Sequence, residues 1–182
     1  MRAISTGVVL LALVLAALPP LRPAAAAEWA PTAQQKDAAN SLLDKYLGLM
    51  SAGSAEAAYG LMTESYRSTV TPADFERDFS RNYAETGKLT GQKVLHVEWL
   101  KDPPNSERPG VFAAIDITLQ FERVHLYCGY VILFQAPEGG DFQVMRHEGN
   151  FISDAEVRKM GQALATAQWA NLIQRCPNYP GR

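Results

Sequence analysis

The sequence predicts an α+β fold: N-terminal helices packed on a curved, cone-like four-stranded antiparallel sheet, followed by a C-terminal helix. Three observations carry that expectation. The apolar period changes from about 3.6 to 2 near Leu95 and returns to helical after Ser153. Val111 to Ala136 reads as two long strands joined by the polar pair Glu122-Arg123. Helix-start signals occur at Thr71-Pro72-Ala73-Asp74 and Ser153-Asp154-Ala155-Glu156.

The first 27 residues stand apart. Arg2 gives a positive start, Val8 to Leu18 is uninterruptedly apolar, Pro19-Pro20 breaks the run, and Ala25-Ala26-Ala27 offers small residues to a signal peptidase. Eleven apolar residues fall short of the ~20 that span a bilayer. The segment therefore reads as a signal peptide over 1–27, cleaved near Ala27. The mature product is expected in the periplasm or secreted, with no stable membrane anchor. Residues 28–182 are then one α+β domain, with a C-terminal helix at about 153–176.

Glu28 to Thr32 forms a leader from which Trp29 can tuck against the body. Ala39, Leu42, Leu43, Tyr46, Leu47 and Met50 mark one face of a first helix over Ala33–Ser51, stopped by Gly53. Ser54 caps a second helix, with Tyr59, Met62 and Tyr66 on one face. Pro72 and Asp74 open a third, along which Phe75, Phe79 and Tyr83 are spaced by four, and Gly87 ends it.

Leu95, Val97 and Trp99 alternate with His96 and Glu98 in a half-buried strand. Lys101 to Gly110, with three prolines, is a loop. In the second strand Val111, Ala113, Ile115, Ile117, Leu119 and Phe121 share one side, and Asp116, Thr118, Gln120 and Glu122 the other. In the return strand Val124, Leu126, Cys128, Tyr130, Ile132 and Phe134 share a face. His125, Tyr127, Val131 and Leu133 occupy the opposite one. Apolar residues on both sides make it a central strand. Pro137 to Gly140 turns the chain into a fourth strand over Asp141–Ile152. The last helix carries Val157, Met160 and Leu164, then Trp169, Leu172, Ile173 and Cys176, and Pro177 closes it.

Composition excludes some function classes. The chain has 47% hydrophobic and 20% charged residues and a net charge of −2. With no basic cluster, no nucleic-acid partner is expected. No cofactor or metal is indicated: nucleotide fingerprints, a CxxC pair and an EF-hand loop are all lacking, and His147-Glu148 has no second histidine to complete HExxH. Outside the cytoplasm, Cys128 and Cys176 are candidates for a disulfide if the last helix folds back over the sheet; the alternative is two separate buried thiols.

One constellation has chemical potential. If the sheet faces coincide, His96, Glu98, Asp116 and Tyr127 line one polar surface, able to host an acid–base pair or a weak metal site. The commoner use of such a face is contact with solvent. The polar run Arg146 to Asn150 twists out of the sheet or rims a pocket. Tyr59, Tyr66, Tyr83, Phe75 and Phe79 either line a ligand cavity or, more commonly, pack a core.

The segments Ala39–Gly53, Ala57–Tyr66 with Val70, and the hairpin Val111–Phe134 resemble exported bacterial proteins grouped as a domain of unknown function with a cystatin-like or nuclear-transport-factor-two-like fold. Phe75 stands where those proteins often carry tryptophan. The resemblance covers Ala38 to Ile152 and leaves out the helix bearing Cys176. It implies a cone of helices against a bent sheet, a scaffold that also hosts isomerases and dehydratases, and it assigns no catalytic residue here. The expected function is a non-enzymatic binding or assembly module that takes an unknown small molecule or protein through the cavity or the open sheet face. The alternative is a small isomerase or hydrolase using acid–base residues in the cavity. A homodimer through the sheet is a further option.

Overall fold

The computed structural model describes residues 29–104, 106 and 108–180. The expected leader over 1–27 lies outside them. Four helices precede the sheet: α1 (Ala33–Ser51), α2 (Ala55–Gly60), α3 (Glu64–Thr69) and α4 (Pro72–Thr86). The strands β1 (Leu89–Lys101), β2 (Val111–Phe121), β3 (Val124–Gln135) and β4 (Gln143–Ser153) form an antiparallel meander in the order β1-β2-β3-β4. The sheet is curled but not closed. Two further helices, α5 (Asp154–Met160) and α6 (Gln162–Leu172), lead into a 3-10 turn at Ile173–Arg175. Among the described residues no helix is long and apolar enough to cross a membrane.

Local chemistry explains the helix limits. Thr32 and Gln35 form a capping box on α1. Thr71 accepts from the Asp74 N–H ahead of Pro72, and Gly87 ends α4 at φ +75°. The hairpin tip secures that C-terminus. The Arg123 guanidinium donates to the carbonyls of Tyr83 (2.9 Å) and Ala84 (2.7 Å), placing a cation where the helix leaves carbonyls unpaired.

Two expected helices are each divided. The second breaks at Leu61–Thr63 because the backbone there joins β4. Thr63 N–H donates to the Val144 carbonyl (2.9 Å), and Val144 N–H donates to the Leu61 carbonyl (2.8 Å). Thr63 then caps α3. The last helix breaks at Gly161, whose φ of +85° no helix accommodates. That break shifts the phase of α6. Ala165, Trp169 and Ile173 are buried, whereas Leu164, expected on the apolar stripe, is 58% exposed.

The sheet separates two hydrophobic cores. On the inner face Ala113, Ile115, Ile117, Val131, Leu133 and Val144 meet Ala39, Leu43, Tyr46 and Leu47 of α1, and Trp29 packs at the margin. On the outer face Cys128 and Ile152 meet Ala165, Trp169 and Ile173. β3 is therefore apolar on both sides, as expected of a central strand. One expected grouping changes. A register shift between Val124 and Leu126 sends Val124 to the inner core and Leu126 to the outer, so they do not share a face.

Cys128 and Cys176 are disulfide-bonded, with Cα atoms 6.2 Å apart, and this bond ties the chain end to the outer face.

Candidate functional site

The proposed polar surface divides between the two faces. His96 and Asp116 are cross-strand partners, and Glu98 follows on the same side, opposite Ala114. All three lie on the outer face. His96 and Glu98 are exposed, and Asp116 accepts a hydrogen bond from the Asn178 side chain in the C-terminal tail. Tyr127 lies buried on the inner face, only 6% exposed. Period-two alternation placed it relative to its own strand, but cross-strand register decides which residues share its surface. Among the described residues, no three His, Cys, Asp or Glu side chains are close enough to share a metal ion.

The groups with chemical potential converge elsewhere. Between the helices and the inner face of β3 and β4 lies a cavity of ≈ 590 Å³, within the range of small-molecule sites. Its helical wall is aromatic and built by α3 and α4, where Tyr66, Phe75 and Phe79 form an edge-to-face and tilted series with centroid separations of 6.2 and 5.8 Å. Met50, Met62 and Met145 add deformable apolar surface. Tyr83 also lines the cavity, so four of the five helical aromatics do; Tyr59 does not, and its hydroxyl donates to the Val70 carbonyl (2.8 Å).

Asp78, Asn82, Arg146 and Glu148 also line the cavity, and His147 of β4 links two of its tyrosines. Its Nδ1 lies 3.2 Å from the Tyr46 hydroxyl and its Nε2 2.9 Å from the Tyr127 hydroxyl. Tyr46 arrives from α1, so the three side chains link helix, central strand and edge strand. Tyr46 also meets the imidazole edge-on, with ring centroids 5.6 Å apart. Both phenols are nearly inaccessible, at 3% and 6% exposure, and burial raises their pKa values. His147 is half-buried with both nitrogens covered by phenols, and burial pulls its pKa down to about 4. At neutral pH the chain is Tyr–imidazole–Tyr without formal charge.

The backbone makes room for Tyr127. Gly129 and Gly149 are cross-strand partners. A Cβ at Gly149 would lie 2.3 Å from the Tyr127 Oη, and one at Gly129 3.0 Å from it. Phe121 and Phe151 flank the ring, the latter nearly parallel at 13°. The expected polar run Arg146 to Asn150 does not leave the sheet but continues β4 as an edge strand, and its residues Arg146 to Gly149 line the cavity, as the pocket-rim alternative had it. Arg146 and Glu148 pair with each other in the exposed layer, while His147 between them turns inward. The sequence placed His147 in a run expected to rim a pocket or leave the sheet and in a rejected zinc motif, but did not single it out as the partner of two tyrosines. The available signal was the pair of strand-interior glycines, which mark close approach by another group. No protein-family model, no curated protein and no solved structure was found to match the chain.

Proposed function

We propose that this chain is an exported binding module of the cone-like α+β kind, and that it holds a small, largely apolar molecule in the cavity between its N-terminal helices and its sheet. The observation that carries the reading is the cavity itself: ≈ 590 Å³, walled largely by aromatic and methionine side chains, with the hydrogen-bonded Tyr46, His147 and Tyr127 in its lining beside Asp78, Asn82, Arg146 and Glu148. Export is supported by the signal-like pattern of the first 27 residues and by the Cys128–Cys176 disulfide, a bond that persists in oxidising compartments.

Binding is favoured over acid–base catalysis. Both imidazole nitrogens of His147 are engaged by phenols, and a pKa near 4 makes the ring a weak base at neutral pH. His96, Glu98 and Asp116 lie on the far side of the sheet from the cavity.

Nile red, a neutral dye whose emission brightens in apolar surroundings, tests the reading. Titration of the secreted, disulfide-intact protein is expected to give saturable one-to-one binding. Val70→Trp, which places an indole at the cavity wall, is expected to weaken that binding at least tenfold while the far-ultraviolet circular dichroism is unchanged. Non-saturating dye uptake, or equal uptake by the variant, would contradict a cavity site.

A further inference from the structure

The Tyr46–His147–Tyr127 set holds more hydrogens than it has contacts to use them. A neutral imidazole carries one N–H, and each phenol carries one O–H. Three hydrogens therefore serve two contacts, Tyr46 to Nδ1 and Tyr127 to Nε2. Among the described residues neither hydroxyl has another partner. If Nε2 carries the proton, Tyr46 donates to Nδ1 and the Tyr127 hydrogen is left over. If Nδ1 carries it, the Tyr46 hydrogen is left over. Protonation of the ring would free both hydroxyl hydrogens. Every protonation state thus leaves at least one phenolic O–H without an acceptor in the set, although every buried side-chain nitrogen and oxygen among the described residues has a partner. All three residues line the same cavity.

We propose that this surplus donor selects the ligand: the cavity takes a neutral, predominantly apolar molecule with a carbonyl-type oxygen, and that oxygen accepts the free phenolic hydrogen. The inference rests on the binding reading above and specifies its chemistry. Neutrality follows from the surroundings of the three residues. Among the described residues no Lys or Arg side chain hydrogen-bonds to any of them, and Arg146, the cation in the cavity lining, is already paired with Glu148, so a carboxylate reaching the phenols would lose its hydration without gaining a free countercharge. The aromatic wall formed by Tyr66, Phe75 and Phe79 suits a flat or extended hydrocarbon body. Gly129 and Gly149 explain how the geometry is held, since any Cβ at Gly149 would force the Tyr127 hydroxyl away from the imidazole.

Equilibrium dialysis of the secreted, disulfide-intact protein at pH 7 tests this with three naphthalenes of similar shape: 2-acetylnaphthalene, its hydrocarbon analogue 2-isopropylnaphthalene, and 2-naphthoate. The affinity of each neutral probe is divided by its own water-to-hexane partition, so the desolvation of the carbonyl cancels between the two, and 2-naphthoate is compared with the ketone by unnormalised affinity. A hydrogen bond in an apolar site then makes the normalised affinity of the ketone exceed that of the hydrocarbon by about tenfold or more. The infrared carbonyl stretch of the bound ketone falls below its value in hexane, and ionised 2-naphthoate binds more weakly than the ketone. Equal normalised affinities with an unshifted carbonyl stretch would overturn the inference and leave the cavity reading standing. Tightest binding by 2-naphthoate would overturn the neutral-ligand assignment. Failure of all three to bind would overturn both readings.

Discussion

Gly149→Ala probes the architecture of the site with one added methyl group. The backbone at Gly149 is not in the left-handed region, so alanine brings no conformational strain there. Space is the obstacle. The new Cβ would lie 2.3 Å from the Tyr127 Oη, 2.6 Å from Cζ and 2.7 Å from Cε2, whereas ordinary contact begins near 3.4 Å. The ring must retreat by about 1 Å, but it is buried and flanked by Phe121 and Phe151. Overpacking of this kind costs about 1–3 kcal/mol. Displacing the hydroxyl from His147 Nε2 adds about 1 kcal/mol. Loss of glycine's freedom in the unfolded chain returns up to about 1 kcal/mol. The net expectation is a loss of about 1–4 kcal/mol, read as a urea midpoint lowered by about 1 M or more. The imidazole nitrogen chemical shifts of His147 should change at the same time. Gly48→Ala, at an exposed helical site with nothing within 4 Å of the new Cβ, is the control and should stabilise by about 0.5–1 kcal/mol. An unchanged urea midpoint and unchanged His147 shifts in Gly149→Ala would refute the wedge of Tyr127 against this glycine.

Three further outcomes follow from other parts of the molecule. The folded pKa of His147 is depressed to about 4, below its ordinary value of 6.5, so the unfolded chain takes up the proton first as pH falls. Its contribution is complete above pH 6.5, declines between 6.5 and about 4, and levels off below, for a total of about 3 kcal/mol; His147→Gln should flatten that part of the urea-midpoint profile, and an identical slope in both proteins would contradict the assignment. Reduction of Cys128–Cys176, which are 48 residues apart, should destabilise by about 4 kcal/mol on the chain-entropy model, while alkylation of the unfolded protein without reductant should label no thiol. Trp169→Ala should cost about 3 kcal/mol or more, because the indole is buried against Tyr179, whereas Leu164→Ser at an exposed position should shift stability by less than about 0.5 kcal/mol; comparable losses would mean that α6 presents a different face.

What the sequence revealed was whatever local chemistry determines. Thr71, Pro72, Asp74 and Gly87 bound α4 because caps and backbone conformations act within a turn of helix. The alternation in β2 announced its buried face because one strand's pleat needs no partner to define it. The disulfide was readable from residue chemistry combined with the compartment that the first 27 residues led one to expect. The misses depend on partners distant in sequence. The break at Leu61–Thr63 exists because Val144 supplies backbone hydrogen bonds there. The phase of α6 turned on Gly161, whose conformation a helical wheel ignores. Val124 and Leu126 separated at a register shift that alternation alone does not reveal.

The site was the least readable element for the same reason. Tyr46, Tyr127 and His147 are separated by as many as 101 positions and meet only after the sheet has curled beneath α1. Tyr127 was grouped with His96, Glu98 and Asp116 through strand parity, yet the register puts it on the other face. His147 sat between two charged residues in a polar run, where an edge strand turns alternate residues to solvent and to the interior. The aromatic spacing of Phe75, Phe79 and Tyr83 was legible, but identical spacing serves a filled core and a cavity wall alike.

The most direct test of the central claim is a crystal structure of the disulfide-intact protein with 2-acetylnaphthalene. The account predicts the naphthalene rings against Phe75 and Phe79 and the carbonyl oxygen within about 3 Å of the Tyr46 or Tyr127 hydroxyl. Ketone bound on the outer sheet face, or in the cavity with its carbonyl turned away from both phenols, would contradict it.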